Sequence, residues 1–282
     1  MHASRAAKSS AARAARGVRV GTPAAPSREA PAAPESAPAS PAPKRAGLPR
    51  RQGGESASGE SAAAREALAW LHGARFLTTA ARLDQLPPPG LPEIAFVGRS
   101  NAGKSTAINT LAQHKRLAFS SRTPGRTQHI NLFEVGPRQA ADALLADLPG
   151  YGYAAVDRSA KLRWQRVMAD YLRERPSLAG VVLLADARLG LTELDRRLLD
   201  LVAPRVATGA VRLLVLLTKA DKLNRREDQQ ALQQCQEALA PYAEGDADVG
   251  VSLFSALSKA GVADVAEQLQ GWRAGATQGV EP

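Results

Sequence analysis

The chain has 282 residues, a formal net charge of +10 and hydrophobic residues at 44% of its positions. This apolar fraction is sufficient for a folded core. No apolar run approaches the roughly 20 residues that a membrane-spanning helix requires, and the N-terminus lacks the apolar segment of a secretory signal. The single cysteine, Cys235, excludes an internal disulfide framework and is typical of proteins in a reducing compartment.

Most of the net positive charge comes from the first 52 residues, which contain ten Lys or Arg and two Glu, a net charge of +8. The remaining residues carry 27 basic and 25 acidic side chains, a net charge of +2. Residues 1–65 are rich in Ala, Pro, Ser and Arg and contain no aromatic side chain. Because such a composition buries too little apolar surface to offset the entropy of ordering, we expect a disordered tail over 1–65.

The sequence leaves two interpretations of this tail open. Its first 28 residues contain no acidic side chain and are rich in Arg, Ala and Ser, a composition that resembles an organelle transit peptide. Alternatively, the tail is an unstructured extension of a bacterial cytoplasmic protein. In the first case we expect the protein in an organelle matrix. In the second we expect a basic arm that can contact nucleic acid.

Beyond the tail, short apolar strands alternate with helical patterns. A lead-in segment over 66–92 contains the Pro-rich linker Pro87–Gly90. We then predict strands at Ile94–Val97, Ile130–Val135, Ala143–Asp147, Val181–Asp186, Leu213–Thr218 and Val251–Phe254. We predict helices at Lys104–Ala112, Ser159–Arg173, Thr192–Ala203, Arg226–Leu239 and Val262–Trp272.

The strand composition and the element order predict the architecture. Runs such as VVLLAD and LLVLLT are almost continuously apolar, which is typical of parallel strands covered on both faces. The alternation of strands and helices predicts an α/β doubly wound domain over 93–275, with a mostly parallel six-stranded sheet and helices on both faces. We expect one antiparallel strand, because Ile130–Val135 and Ala143–Asp147 follow each other like the arms of a hairpin.

The segment GRSNAGKS has the pattern G-x-x-x-x-G-K-[ST] of a phosphate-binding loop, and it lies between a predicted strand and a predicted helix, as that loop requires. Its glycines permit a backbone path that turns N–H groups toward a phosphate at the helix N-terminus. Lys104 can reach the β- and γ-phosphates, and the Ser105 hydroxyl can bind Mg²⁺. The candidate contacts are Gly98, Arg99, Ser100, Asn101, Ala102, Gly103, Lys104 and Ser105.

Two further motifs follow strand ends, where ligands bind in open α/β sheets. In Asp147-Leu148-Pro149-Gly150, the carboxylate can hold Mg²⁺, usually through water, and the Gly150 N–H can meet a γ-phosphate. In Thr218-Lys219-Ala220-Asp221, the terminal carboxylate can accept the N1–H and N2–H₂ donors of guanine, which adenine does not offer in that pattern. This motif therefore predicts selection of GTP over ATP.

A last candidate contact follows the sixth predicted strand. In Phe254-Ser255-Ala256, the backbone N–H of Ala256 can meet guanine O6.

The four motifs together resemble the translation-factor-related GTPases, of the TrmE-Era-EngA-EngB-Septin-like superfamily. The sequence between them resembles the EngB (YsxC/YihA) family of ribosome-biogenesis GTPases over about Phe76 to Trp272. That resemblance rests on GRSNAGKST, SRTPGRTQHINLFEV, DLPGYGYA, DARLGLTELDRRLLDLV, TKADKL and FSALSKAG.

The resemblance implies a protein that binds GTP and GDP with Mg²⁺, hydrolyses GTP slowly and takes part in assembly of the large ribosomal subunit. It also implies a role in cell division and septation. The implied partners are the large-subunit precursor and its rRNA, without a membrane, and we expect a monomer. Thr127 matches the switch threonine that joins Mg²⁺ when GTP is bound. Gly125, Arg126, Thr127, Gln128 and His129 would lie beside the nucleotide, within a first switch over 117–129.

The second switch would run from Asp147 to Val156, and it departs from signalling GTPases at Tyr151, where those enzymes carry a glutamine that orients the attacking water. A tyrosine lacks the paired donor and acceptor of a carboxamide, so we expect slow hydrolysis that a partner or an ion stimulates. The catalytic candidates are Lys104, Thr127, Gly150 and Asn101.

In relatives of this superfamily, an asparagine at the position of Asn101 helps to hold K⁺ beside the phosphates. Backbone carbonyls over 122–126 can supply further ligands. Alternatively, Asn101 only fixes the loop conformation, or the Arg126 guanidinium supplies the positive charge instead.

Two functions also remain open: a GTPase switch for ribosome assembly, or a nucleotide-stabilised rRNA-binding assembly factor whose hydrolysis is incidental.

Overall fold

The computed structural model describes residues 61–118, 129–152 and 158–274. Its helices are α1 (Ala62–His72), α2 (Lys104–Leu111), α3 (Arg158–Glu174), α4 (Glu193–Ala207), α5 (Arg225–Leu239) and α6 (Val262–Ala274). Its strands are β1 (Arg75–Ala80), β2 (Glu93–Gly98), β3 (Ile130–Val135), β4 (Ala143–Asp147), β5 (Leu178–Asp186), β6 (Arg212–Thr218) and β7 (Val249–Phe254). Short 3₁₀ turns cover Leu83–Gln85, Ala220–Lys222 and Ala240–Tyr242.

The strands form one sheet in the order β1-β3-β4-β2-β5-β6-β7. Strand β3 is antiparallel to both of its neighbours, β1 and β4, and the other pairs are parallel. The α/β architecture with one antiparallel strand is therefore confirmed. The predicted number of six strands is wrong, because β1 adds a seventh at the edge. The sequence of that strand lacks a continuous apolar run, which is the signal that identified the buried strands. Its Phe76 and Leu77 remain 57% and 37% exposed.

Helix α1 begins at Ala62, earlier than the segment over 66–92 in which we expected order to begin. The Ser61 hydroxyl caps it by accepting the Ala64 N–H at 2.9 Å. Further along the helix, the Trp70 indole donates to Asp142 Oδ1 at 2.6 Å, and Arg273 of α6 donates to Asp142 Oδ2 at 2.6 Å. The lead-in segment thus packs into the domain, joined to α6 and to the segment between β3 and β4.

The core lies in two layers, one on each face of the sheet. Neighbouring side chains on a strand point to opposite faces, so Phe96 belongs to one layer and Val97 to the other. Helices α1, α2 and α6 cover the Phe96 face, and α3, α4 and α5 cover the Val97 face. All nine residues of β5 are buried, as its apolar sequence predicts.

A buried ionic cluster fixes the edge of the sheet at which β2 begins. Glu93 is completely buried and accepts hydrogen bonds from the Tyr171 hydroxyl, from Arg175 Nη2 at 2.6 Å and from Ser177 Oγ at 2.9 Å. A buried carboxylate is tolerated because these donors satisfy it. Burial, with the charge of Glu93, raises the pKa of Tyr171 well above its ordinary value. The C-terminal end of α3 is thereby tied to the strand that leads into the phosphate-binding loop.

Candidate functional site

The strand register brings the polar motifs to a common edge of the sheet. Thr218 at the end of β6 is level with Asp186 at the end of β5 and with Phe254 at the end of β7. On the other side of β5, Phe96 of β2 is level with Asp147 at the end of β4. Because these strands are parallel, the segments that follow them emerge side by side, which is the usual ligand-binding arrangement of such sheets.

The expected strand–loop–helix unit is present: β2 ends at Gly98 and α2 begins at Lys104. Asn101 and Gly103 have φ values of 67° and 93°, in the left-handed region. A Cβ atom on Gly98 would lie 2.8 Å from the Leu184 carbonyl oxygen, so only glycine fits against β5. The loop directs its chain into the N-terminus of α2, where unpaired N–H groups favour an anion.

Lys104 and Asp147 form an ion pair at the centre of the edge. The Lys104 ammonium donates to Asp147 Oδ1, and the two residues are 8% and 0% exposed. Asp147 Oδ2 is also buried and has no hydrogen-bond partner among the described residues. An unsatisfied buried carboxylate oxygen fits a cation or a cation-bound water. The half-buried Ser105, in the first turn of α2, supplies a second oxygen suited to Mg²⁺.

The segment after β4 runs against the phosphate-binding loop. A Cβ atom on Gly150 would lie 3.3 Å from the Ser100 nitrogen, so glycine permits this close approach. Pro149 is buried, and Leu148 is completely buried with its N–H donated to the Phe96 oxygen at 3.1 Å. Because the Leu148 side chain belongs to the core, any contact that it makes with a ligand must come from its backbone.

Tyr151 does not present its side chain as a glutamine would. The residue is 4% exposed, and its hydroxyl donates to Asp195 Oδ1 at 2.5 Å. Burial, followed by the negative charge of Asp195, raises the pKa of Tyr151 far above its ordinary value. The hydroxyl therefore stays protonated and engaged within the protein.

Side chains at the end of β6 donate hydrogen bonds to the backbone of the phosphate-binding loop. The Thr218 hydroxyl donates to the Ala102 oxygen at 2.6 Å, and the Lys219 ammonium donates to the Asn101 oxygen at 3.0 Å. Lys219 itself has a φ of 60°, and the following Ala220 is buried in a 3₁₀ turn. The motif at this strand end and the phosphate-binding loop are thus directly bonded to each other.

Sequence reasoning missed Asp186, which joins this arrangement from β5. Its Oδ2 atom accepts the Lys219 ammonium at 2.9 Å and Arg188 Nη2 at 2.7 Å. The hydrogen bond from Arg188 is the main cause that lowers the pKa of Asp186. Burial acts against it, and the hydrogen bond from Lys219 lowers the pKa further. The signal that could have found it is a carboxylate that ends an apolar strand, the same signal that identified Asp147.

Asp221 and Ser255 meet across the ends of β6 and β7. The Ser255 hydroxyl donates to Asp221 Oδ1 at 2.7 Å, and its oxygen accepts the N–H groups of Leu257 and Ser258 at 3.2 and 3.1 Å. The hydrogen bond from the Ser255 hydroxyl is the main cause that lowers the pKa of Asp221. Ser255 is completely buried and orients the carboxylate, while the preceding Phe254 packs in the core.

A cleft of about 220 Å³ lies beside the phosphate-binding loop. Its walls include Ser100 and Asn101 of the loop, Asp186 and Lys219 of the adjoining strand ends, and Thr192 and Asp195 at the start of α4. The residues that line this cleft therefore come from four neighbouring segments of the chain.

Several predicted site residues fall outside the described residues: Gly125, Arg126, Thr127 and Gln128, and the carbonyls over 122–126. His129 is described and exposed, immediately before β3. Ala256 is half-buried after β7. Within the described ranges, no helix is both long and apolar enough to cross a membrane.

Comparisons with known proteins identify the family. A family model described as "50S ribosome-binding GTPase" matches residues 93–237. The probable GTP-binding protein EngB of Acidovorax ebreus (strain TPSY) is 60% identical over 205 residues, which are 73% of this chain and 90% of the relative. The corresponding protein of Polaromonas sp. (strain JS666) is 58% identical over 209 residues, 74% of this chain and 82% of the relative.

A solved structure shares the fold. Aquifex aeolicus Era bound to GDP and AlF₄⁻ aligns with a TM-score of 0.52 at 19% identity, over 64% of this chain and 56% of that one. Together with the close sequence relatives, the strand–loop–helix geometry and the motifs at the carboxyl edge of the sheet lead to one assignment. The chain is a GTPase and belongs to the EngB family of GTP-binding proteins.

Proposed function

We propose that this GTPase binds GTP and GDP with Mg²⁺ at the carboxyl edge of its sheet and acts as a slow molecular switch in assembly of the large ribosomal subunit. The observation that carries the proposal is the convergence, at one edge, of the Lys104–Asp147 pair with the Asp221–Ser255 pair. The first pair suits phosphates and a hard cation, and the second suits a guanine base.

The phosphates would be held by the loop over 98–105. Lys104 can exchange its contact with Asp147 for the β- and γ-phosphates, since an ammonium on a flexible stem reaches either acceptor. Gly150, which lies against Ser100, would offer its N–H to the γ-phosphate. Arg99, Asn101 and Ala102 would complete the cradle with their backbone.

Mg²⁺ would be held by Ser105, by Asp147 through water and by Thr127. The buried Asp147 Oδ2, which has no partner among the described residues, supports the assignment of Asp147. The place of Ser105 in the first turn of α2 supports its assignment. Mg²⁺ supplies positive charge between the β- and γ-phosphates when it is bound. Thr127, with Gly125, Arg126, Gln128 and His129 beside the nucleotide, is assigned from the family resemblance alone.

The guanine base would be read by Asp221, whose carboxylate is already oriented by Ser255. The Lys219 stem would lie over the ring, with the ammonium fixed by Asn101 and Asp186. The Ala256 N–H would meet guanine O6. Thr218, Ala220, Phe254 and Leu148 would shape the site from behind, because their side chains are buried.

Slow hydrolysis follows from the environment of Tyr151. Its hydroxyl is buried and bonded to Asp195, so it cannot take the place of a glutamine that orients water. Within the described part of the second switch, Asp147 would then act through Mg²⁺ and Gly150 through its backbone N–H, while the Tyr151 side chain would not contact the attacking water. A partner or an ion must supply the remaining stabilisation of the transition state.

The description of the matching family model supports a large-subunit partner, with the precursor particle and its rRNA as the contacting surfaces. By family resemblance, we extend the proposal to normal cell division and septation. We also infer a location in the bacterial cytoplasm, since the named relatives are bacterial. The family resemblance is the basis for the inference of a monomer. A second candidate function is an rRNA-binding assembly factor whose hydrolysis is incidental; the basic tail favours it.

Sedimentation with ribosomal particles tests the switch. Particles of the large subunit should retain the protein with a non-hydrolysable GTP analogue and release it with GDP or without nucleotide. Equal co-sedimentation in all three conditions would refute the switch. A Thr127→Ala chain that binds GTP without hydrolysing it separates the two functions. If this chain still supports assembly and leaves the particles normally, hydrolysis is incidental.

A further inference from the structure

Tyr151 is joined to the phosphate-binding loop through its backbone. Its N–H donates to the Gly98 oxygen at 3.2 Å, and its oxygen accepts the Ser100 N–H at 2.9 Å. Together these bonds form a parallel bridge with Arg99. Gly150 immediately precedes this bridge, so the position of its N–H depends on how firmly Tyr151 is held.

The side chain of Tyr151 extends this attachment to α4. Its hydroxyl donates to Asp195 Oδ1 at 2.5 Å, and both residues are almost completely buried. The other oxygen of Asp195 accepts the Thr192 N–H at 2.7 Å and the Thr192 hydroxyl at 2.6 Å. Asp195 is thus fixed by the first turn of α4, and Tyr151 is hydrogen-bonded to a rigid acceptor.

We propose that the Tyr151–Asp195 hydrogen bond is a latch that holds Gly150 in position for the γ-phosphate, so that Tyr151 and Asp195 are positioning residues for recognition of GTP. The inference rests on the proposed function of Gly150. It assigns a role to the tyrosine that replaces the glutamine: the side chain stabilises the start of the second switch from inside the protein instead of acting on water.

The latch makes a prediction that distinguishes GTP from GDP. The Gly150 N–H has a partner only in GTP, because GDP lacks the γ-phosphate. A loss of the Tyr151 hydroxyl would leave Asp195 Oδ1 buried without a donor and would let Gly150 move. The affinity for GTP should then fall, while contacts with the α- and β-phosphates, the base and the ribose should keep the affinity for GDP.

The test compares the full chain with its Tyr151→Phe variant by calorimetric titration with GDP and with a non-hydrolysable GTP analogue. The variant keeps the buried ring and removes only the hydroxyl. We expect the affinity for the analogue to fall roughly three- to tenfold, as for one lost hydrogen bond, with the affinity for GDP unchanged. Tyr242→Phe is a control for the loss of a tyrosine hydroxyl, since it removes an exposed 2.6 Å bond to Asp200 of α4, away from the loop.

A Thr192→Val variant loosens the same latch more gently, because it removes one of the two donors to Asp195 Oδ2. It should lower the affinity for the GTP analogue relative to the affinity for GDP by a smaller factor than Tyr151→Phe does. This variant tests the latch if Tyr151→Phe does not fold. Equal changes for GDP and the analogue, or no change in either, would overturn the latch. Failure of the unaltered chain to bind any guanine nucleotide would instead overturn the proposed function on which the latch rests.

Discussion

The ammonium group of Lys219 lies 2.9 Å from Oδ2 of Asp186, a carboxylate at the end of the neighbouring strand that is only 8% exposed. The same ammonium donates to the Asn101 oxygen of the phosphate-binding loop at 3.0 Å. The segment after β6, the loop over 98–105 and β5 are therefore connected through one side chain. In the proposed function, this connection would hold the Lys219 stem in place before a base binds, which would reduce the entropy lost on binding.

Replacement of Asp186 tests this connection. In Asp186→Asn the charge that holds Lys219 is lost, so we expect the affinities for GTP and GDP to fall by the same factor, roughly fivefold. Arg188→Ala is the control, because it removes the other cation on Asp186 and leaves the Lys219 contact. Fluorescent nucleotide titrations measure both variants. Weakening by Arg188→Ala as large as by Asp186→Asn would show that Asp186 does not act through Lys219.

Potassium should accelerate hydrolysis through Asn101. A cation beside the phosphates stabilises the charge that develops in the transition state. Asn101 has a φ of 67°, so Asn101→Gly removes the side chain without straining the backbone. In single-turnover assays at fixed ionic strength, the unaltered chain should hydrolyse GTP at least about tenfold faster in K⁺ than in Na⁺, and the variant should lose the difference. Equal rates of the unaltered chain in the two salts would exclude the ion.

The basic tail should add sequence-independent affinity for rRNA. Residues 1–52 carry a net charge of +8, and each phosphate contact steepens the salt dependence of binding. A chain that begins at Glu60 keeps Ser61, the cap of α1, and should fold and bind GTP like the full chain. Its RNA affinity should fall less steeply with salt. Identical salt slopes for the two chains would mean that the tail is a spacer or a cleaved targeting segment.

The sequence predicted the sheet core because its strands are strong signals. Residues 181–185 and 213–217 are apolar and are followed by the polar residues Asp186 and Thr218, and the predicted strands lie within the observed ones. β1 escaped prediction because it is stabilised by pairing with β3, a long-range contact that leaves Phe76 exposed. Helix α1 extends into the low-complexity tail because its stability comes from a cap and from packing on α6, which local composition does not reveal.

The sequence identified residues of the candidate site where a recognisable motif follows a strand, as for Lys104 and Asp147, which the structure brings into contact. It was not predictable where one residue positions another. Asp195 supports Tyr151 from 44 residues away, and Asp186 supports Lys219 from 33 residues away. Such pairs depend on strand order and register, and they become visible only when the fold brings their elements together.

Exchange of base specificity at Asp221 tests the central claim most directly. Ser255 holds Oδ1 of the carboxylate, so in Asp221→Asn the amide oxygen can keep that bond and the amide nitrogen replaces Oδ2. That nitrogen would face the donors of guanine, but it would match the carbonyl that xanthine has in place of the guanine amine. Binding of GTP should fall roughly a hundredfold or more, as for two charge-assisted hydrogen bonds, and binding of xanthosine triphosphate should improve. Unchanged affinities for both nucleotides would contradict a guanine site at this edge of the sheet.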